Sequence, residues 1–532
     1  MRKILLLSTF FTVLFIQAQE HAWVYFVDKP NEAVFMAAPL TMLTQRSLDR
    51  RTVQNIALDF KDVPIATMYV NQINAINGIE VKAKSKWLNA VHVIGSEAAI
   101  NDLETLAIVD YVEFAAKALN NKNKNSKNKK SKFGELENYN YGNSLNQAQQ
   151  IGVDFLHQNN YTGSGMQIAI LDAGFPNVDN FSAFQKIRDN NQILGGYNFV
   201  DSDANFYQYN NHGTSVLSTI AGFVDGELVG TAPDASFYLF ITEDVSSETP
   251  LEESLWVEAA EKADSLGVNI INSSLSYRDF DEPKYNHSYA DMDGKTTFIS
   301  RGANVAATRG MLVVISAGNS GDSATYNYIG TPADATNVFT IGAVNAVGTI
   351  ASFSSYGPAF GGKIKPDVLA KGARATVINS VGNVSVASGT SFSSPVMAGA
   401  IASLWQAFPY KTNFEIMQLI RESAHLFTTP TAQEGFGIPN LKRAFENATY
   451  GNFSLDNMIV YPNPFTDKIY YNVHSDVNSI TISAFDLLGR KVLQEHKNFN
   501  TPIDFSKFQS GVYMLRFETL KGKTKIVKLI KR

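Results

Sequence analysis

The most constraining feature of this 532-residue chain lies between about residues 140 and 450. Five short, continuously apolar runs recur there, at residues 167–171, 236–241, 269–272, 311–316 and 338–341. None alternates apolar with polar residues as a half-exposed strand does. Strands covered on both faces of a sheet read this way. Helical patterns such as residues 254–266 separate the runs and are long enough to be crossover connections. The pattern predicts an α/β architecture, a parallel sheet flanked by helices.

The flanking regions differ in character. Arg2 and Lys3 precede an apolar stretch at 4–16 that stops at Gln17 and Ala18. Residues 1–18 therefore read as a cleaved signal peptide; a membrane anchor needs about 20 apolar residues. Residues 19–117 read as strand 24–27, helix 64–76, strands 79–83 and 90–94, helix 96–106 and strand 108–114. That is a βαββαβ unit, an α+β domain. Residues 118–139 form a linker, with six lysines among Asn and Ser at 120–132. Such a tract buries no apolar surface, and it reads as a solvated spacer or a processing region. Residues 451–532 carry period-two segments at 468–473, 479–485, 491–494, 510–517 and 523–530. With Leu488-Gly489-Arg490 as a hairpin turn, they predict an all-β sandwich module.

Composition narrows the function classes. The chain is 45% hydrophobic and 18% charged, too apolar for disorder. Its net charge of -5 gives no sign of a nucleic-acid partner. With no cysteines it has no disulfide framework, thiolate nucleophile or Cys-ligated metal.

Three side chains then stand in one order. Asp172 closes the run Ile168-Ala169-Ile170-Leu171-Asp172-Ala173-Gly174. Alone it reads as a turn residue, but a parallel sheet places functional groups at the carboxyl ends of its strands. His212, in Asn211-His212-Gly213-Thr214-Ser215, opens a helical pattern. It is either a capping or core histidine or a general base with a pKa suited to neutral pH. Ser391, in Ser388-Gly389-Thr390-Ser391-Phe392-Ser393-Ser394-Pro395, lies at a helix start, with Pro395 tolerated in the first turn. An N-cap and a nucleophile facing the helix dipole are compatible readings. Asn319, in Ser316-Ala317-Gly318-Asn319-Ser320-Gly321, is a turn residue or an amide donor to an oxyanion.

Together with Gly230-Thr231-Ala232-Pro233 and Asn272-Ser273-Ser274-Leu275-Ser276, these segments resemble the subtilisin-like serine proteases (subtilases) over about 300 residues. The resemblance implies a secreted serine endopeptidase acting through an acyl-enzyme. Asp172 would orient the base, His212 would be general base and acid, Ser391 the nucleophile and Asn319 the oxyanion donor. Ser274, Leu275 and Ser276 would pair with the substrate backbone. Ala317 and Gly318 would form a wall of the primary pocket and Gly330 its floor. Ala173 stands where Ser or Thr is frequent. Ser276 stands where Gly is common, which leaves the pocket's width open. Catalysis would require no cofactor. Family members often carry structural calcium, but no site is assigned, and Asp234, Asp322 and Asp334 read as turn residues.

By the same resemblance, residues 19–117 are similar to inhibitory subtilase propeptides. Their C-terminal tail would occupy the cleft and be cut autocatalytically between about residues 115 and 140; a permanent accessory domain is the alternative. The C-terminal module resembles type IX secretion sorting domains through Tyr461-Pro462-Asn463-Pro464-Phe465, Asp486-Leu487-Leu488-Gly489-Arg490, Ser510-Gly511-Val512-Tyr513 and the basic end at Lys531-Arg532. A carbohydrate-binding or adhesive module is the alternative. The expectation is a monomeric zymogen that meets its own propeptide, peptide substrates and the type IX machinery, and reaches the exterior or cell surface through the periplasm. Two competing readings are an inactive subtilase-fold binding or adhesion protein and an α/β-hydrolase esterase. The esterase reading lacks a Gly-x-Ser-x-Gly elbow at Ser391 and has the wrong triad order.

Overall fold

The computed structural model describes residues 19–120, 139–451, 459–472, 479–498, 502–518 and 524–532. The signal-peptide segment 1–18 and most of the lysine-rich linker lie outside these residues. The chain divides into two compact units, residues 1–439 and 440–532.

The first unit is built on a seven-stranded sheet, every strand parallel to its neighbours. In spatial order the strands are Val368–Lys371, Phe339–Val344, Leu312–Ser316, Ile270–Ser273, Gln167–Asp172, Ser236–Ile241 and Ile193–Asn198. The five central strands are the five apolar runs. The two edge strands were not expected. Ile193–Asn198 carries Gly195-Gly196, and Val368–Lys371 is four residues long and follows Pro366. Glycine pairs and very short runs carry little strand signal.

Alternation assigns the sheet's two faces. Ala169, Leu171, Ile271, Val313 and Ile315 share a core with Trp256, Phe298 and Ile299, from helices Pro250–Leu266 and Phe298–Thr308. Trp256 is fully buried and donates its indole N–H to Ser273 Oγ at 2.9 Å. On the opposite face Ser394 Oγ donates to Asn272 Oδ1 at 2.9 Å, which seats helix Thr390–Gln406 there, packed against helix His212–Ala221.

The βαββαβ region forms a four-stranded antiparallel sheet in the order Ile79–Ser85, Ala90–Ser96, Gln19–Phe26, Val109–Phe114. Helices Thr67–Asn74 and Glu97–Asp102 follow the expected order. The sheet lies against helices Pro250–Leu266 and Phe298–Thr308. Trp23 stacks on Phe298 with centroids 4.6 Å apart and donates to Ser254 Oγ at 2.7 Å. Glu261 accepts from the backbone N–H groups of Lys86 and Trp87, both at 2.9 Å, and from Ser85 Oγ at 2.6 Å.

Helix Gln45–Val53 was not expected, because its sequence QRSLDRRTV has no apolar stripe. It buries arginines instead. Arg51 reaches Asp62 and Asp264, both at 2.6 Å, and Arg50 pairs with the other oxygen of Asp264. Burial opposes ionisation of Asp264, but Arg51 and Arg50 overcome it and hold the carboxyl below the usual range. Removing one member of such a cluster leaves a buried charge uncompensated.

The second unit has two antiparallel sheets. One contains Ile459–Tyr461, Lys468–Asn472 and Ile503–Asp504. The other contains Lys491–Asn498, Ser479–Phe485, Gly511–Glu518 and Thr524–Lys531. Phe465, Ile469, Tyr471, Ile482, Phe505, Leu515 and Phe517 fill the core between them, the expected sandwich. In the hairpin turn Gly489 takes a positive φ of 77°, and Asp486 Oδ1 accepts from the N–H groups of Leu488 and Arg490.

Asp264→Ala in the uncut chain is expected to destabilise the fold by about 3–5 kcal/mol, because Arg50 loses its carboxylate and Arg51 is left with Asp62 alone. Chemical denaturation followed by tryptophan fluorescence measures this; a change below about 1 kcal/mol would show that the cluster is dispensable.

Candidate active site

Asp172 is the last residue of its strand and fully buried. Its Oδ1 accepts from Ala173 N–H at 2.8 Å and from His212 Nδ1 at 2.7 Å. His212 is the first residue of helix His212–Ala221, and its own N–H donates to Asn210 Oδ1 at 2.9 Å. Gly213 lets that helix approach the strand end: a Cβ there would lie 2.4 Å from Gly174 O. The Asp172 charge raises the His212 pKa above its ordinary 6.5, against the opposing effect of burial. That arrangement fixes the ring and leaves Nε2 for chemistry.

Ser391 is the second residue of helix Thr390–Gln406 and 9% exposed. Its Oγ donates to Ser274 O at 3.4 Å. Among the described residues it makes no hydrogen bond to His212, although both side chains line one cleft of about 660 Å³. Pro395 does not lie in the first helical turn, contrary to expectation; it is inside the helix. Having no N–H, it cannot bond the carbonyl four residues earlier, that of Ser391. That carbonyl accepts from Ser274 Oγ at 2.9 Å instead. The helix-breaking residue thus ties the serine's backbone to the neighbouring strand end.

Asn319 Oδ1 accepts from Thr390 N–H at 2.8 Å and Thr390 Oγ1 at 3.0 Å. With its oxygen so occupied, the amide Nδ2 is free to donate into the cleft. Thr390 Oγ1 also accepts from Gly318 N–H at 3.1 Å. Thr390 is a positioning residue that the sequence analysis missed; its place directly before Ser391 was the available signal.

Ser274, Leu275, Ser276, Gly318 and Gly330 line the same cleft. Ala317 does not; it is fully buried, and Ser316 lines the wall beside Gly318. The Ser276 hydroxyl stands between two glycines. A Cβ on Gly330 would lie 2.3 Å from Ser276 Oγ, and one on Gly318 3.5 Å from it. Ser276 thus narrows this part of the cleft. None of the described residues 19–120 lines the cleft.

Among the described residues no three His, Asp or Glu side chains form a metal-binding group. Asp234 pairs with Lys186 at 2.7 Å. Asp334 lies in a turn, as expected, and is buried there, accepting from Ser300 Oγ at 2.6 Å and Gly294 N–H at 2.7 Å.

Comparison with known proteins assigns three regions of the chain. Residues 163–458 match the Subtilase family, residues 21–132 the peptidase S8 propeptide domain of Bacteroidota, and residues 459–532 a secretion system C-terminal sorting domain. Subtilisin NAT of Bacillus subtilis subsp. natto is 27% identical over 419 residues, 77% of this chain and 95% of that protein. The thermophilic serine proteinase of Bacillus sp. (strain AK1) is 29% identical over 378 residues, 68% of this chain and 81% of that protein. The crystal structure of MycP1 with its N-terminal propeptide removed aligns with a TM-score of 0.45 at 21% identity, over 56% of this chain and 96% of that one.

Asp172→Asn is expected to lower the His212 pKa, because the charge that raises it is gone while the burial that depresses it remains. NMR titration of the ring measures the shift; an unchanged pKa would show that Asp172 does not govern the imidazole.

Proposed function

Because the chain belongs to the subtilase family and is a subtilisin-like serine endopeptidase, we propose that Ser391 is its nucleophile, His212 its general base and acid, Asp172 the orienter of that base, and Asn319 its oxyanion donor. The observation that carries this reading is the hydrogen bond from buried Asp172 to His212, which lines one cleft with Ser391 and Asn319. Rotation of the Ser391 hydroxyl from Ser274 O toward His212 Nε2 begins the reaction; catalytic hydrogen bonds are often long or misaligned before substrate arrives. His212 takes the hydroxyl proton, and Oγ attacks the scissile carbonyl. The carbonyl oxygen gains negative charge, which Asn319 Nδ2 and the Ser391 backbone N–H stabilise. His212 then protonates the leaving amine, and water repeats the sequence on the acyl-enzyme. Every participant is a side chain or backbone group, so the proposed chemistry draws on no cofactor.

Substrate backbone pairs with Ser274, Leu275 and Ser276 as an added strand. The first side chain before the cut enters between Gly318 and Gly330, where Ser276 limits its size. The propeptide and sorting domains make the protein a zymogen destined for secretion or cell-surface attachment. We assign residues 1–18 to a signal peptide leading through the periplasm, the enzyme unit to about residues 140–450, and autoprocessing to the segment between about 115 and 140. The working form in this reading is a monomer.

Ser391→Ala, expressed alone, is expected to keep its propeptide covalently attached and to leave casein uncut. Normal processing of that variant would assign the cut to another protease. Wild-type protein that is processed but leaves casein intact would favour the binding-protein reading instead. Asn319→Ala is expected to lower kcat by about 10²–10³, the scale known for an oxyanion donor in subtilisin. The raised His212 pKa keeps the base protonated and idle to higher pH. The acid limb of kcat/KM is therefore expected to have its midpoint above 6.5 and activity to fall as pH drops through it; a midpoint near 4 would rule out this imidazole as the base.

A further inference from the structure

One wall of the cleft carries negative charge that the proposed relay does not use. Strand Ser236–Ile241 runs into Thr242-Glu243, and helix Pro250–Leu266 has Glu252 in its first turn. Glu243, Glu252 and the exposed Glu248 line the cleft that holds His212 and Ser391. Glu243 is 8% exposed and Glu252 2%. Glu243 Oε1 accepts from Tyr277 OH at 2.6 Å and Thr242 Oγ1 at 2.7 Å. Its other oxygen, Oε2, receives no hydrogen bond from any described residue. Among the described residues, Glu252 accepts only from the backbone N–H groups of Asp244 and Thr249, at 3.1 and 3.2 Å.

Among the described residues no lysine or arginine forms an ion pair with any of the three. Arg278, which also lines the cleft, is paired with Asp279 and stacked 4.0 Å over the Tyr326 ring. Buried carboxylates without a cation are costly. Burial first, and repulsion from neighbouring Glu248 and Asp172 with it, pushes Glu243 well above the usual carboxylate range; burial and the charges of Glu243 and Glu248 do the same to Glu252. A cation entering the pocket would relieve both effects. The described residues offer no three-carboxylate or histidine group for a metal ion. A lysine fits better. Its apolar stem can lie along Val245 and Leu275, which line the same cleft, while its ammonium reaches Oε2.

We propose that Glu243, with Glu252 and Glu248, selects a lysine side chain on the part of the substrate N-terminal to the scissile bond. The inference rests on the protease reading. Tyr277, whose hydroxyl holds Glu243, directly follows Ser274-Leu275-Ser276, the wall along which that part of the substrate is proposed to lie. The six-lysine tract at 120–132, between the propeptide and the enzyme, has the chemistry this pocket selects.

The test uses processed enzyme and internally quenched peptides that differ only by Lys, Leu or Glu at each of the four positions before the cut. Lysine at one position is expected to raise kcat/KM over leucine by about tenfold or more, the scale of one charged hydrogen bond. Glu243→Gln, and separately the exposed Glu248→Gln, are each expected to bring the Lys-to-Leu ratio toward one. A wild-type ratio near one at all four positions overturns the inference, as does a high ratio that neither substitution lowers. Absence of cleavage of every peptide would overturn the protease reading and this inference with it.

Discussion

The cleft depends on one carboxylate fixed at the end of a buried strand. Asp172 has no solvent to stabilise its charge, so the imidazole and Ala173 N–H must do so. The parallel sheet makes this productive. Its strands all end on one edge, and the chain leaves that edge at Asp172, Ser273, Ser316 and Ile241 from four adjacent strands. Ser274, Ala317 to Asn319 and Glu243 are therefore delivered beside Asp172 without any long-range search. Helices beginning at His212 and Thr390 supply the other two groups at the same edge.

The second organising contact joins the propeptide to the enzyme. Helix Pro250–Leu266 takes part in both. Its first turn carries Glu252 at the cleft, while Ser254, Glu261 and Asp264 farther along receive Trp23, the Ser85-Lys86-Trp87 loop and the two arginines. The attachment combines an apolar core, in which Trp23 and Trp87 pack with Phe298, with buried hydrogen bonds and ion pairs to specific atoms. Such contacts punish mismatch more than they add net stability. They suit a domain whose docking position matters.

Much of this was legible in the residues and some was not. The five central strands announced themselves because burial on both faces demands unbroken apolar runs. Asp172, His212, Asn319 and Ser391 were visible because each sits in a small-residue motif at an element boundary. The edge strands were hidden, one by Gly195-Gly196 and one by its brevity. Helix Gln45–Val53 was hidden because it buries charge paired across a domain interface, and no periodicity reports a partner more than 200 residues away. Pro395 was read as a first-turn proline, and only the fold reveals that its missing N–H releases the Ser391 carbonyl to Ser274. Nothing in the residues around Glu243 and Glu252 singled them out. Their burial emerges only when strand end and helix start converge on the cleft.

The most direct measurement is to treat processed protein with a fluorophosphonate and map the adduct by peptide mass spectrometry. The account expects a single modification, on Ser391, formed faster as pH rises through the His212 titration. An adduct on a different serine, or none while the protein remains folded, would contradict it.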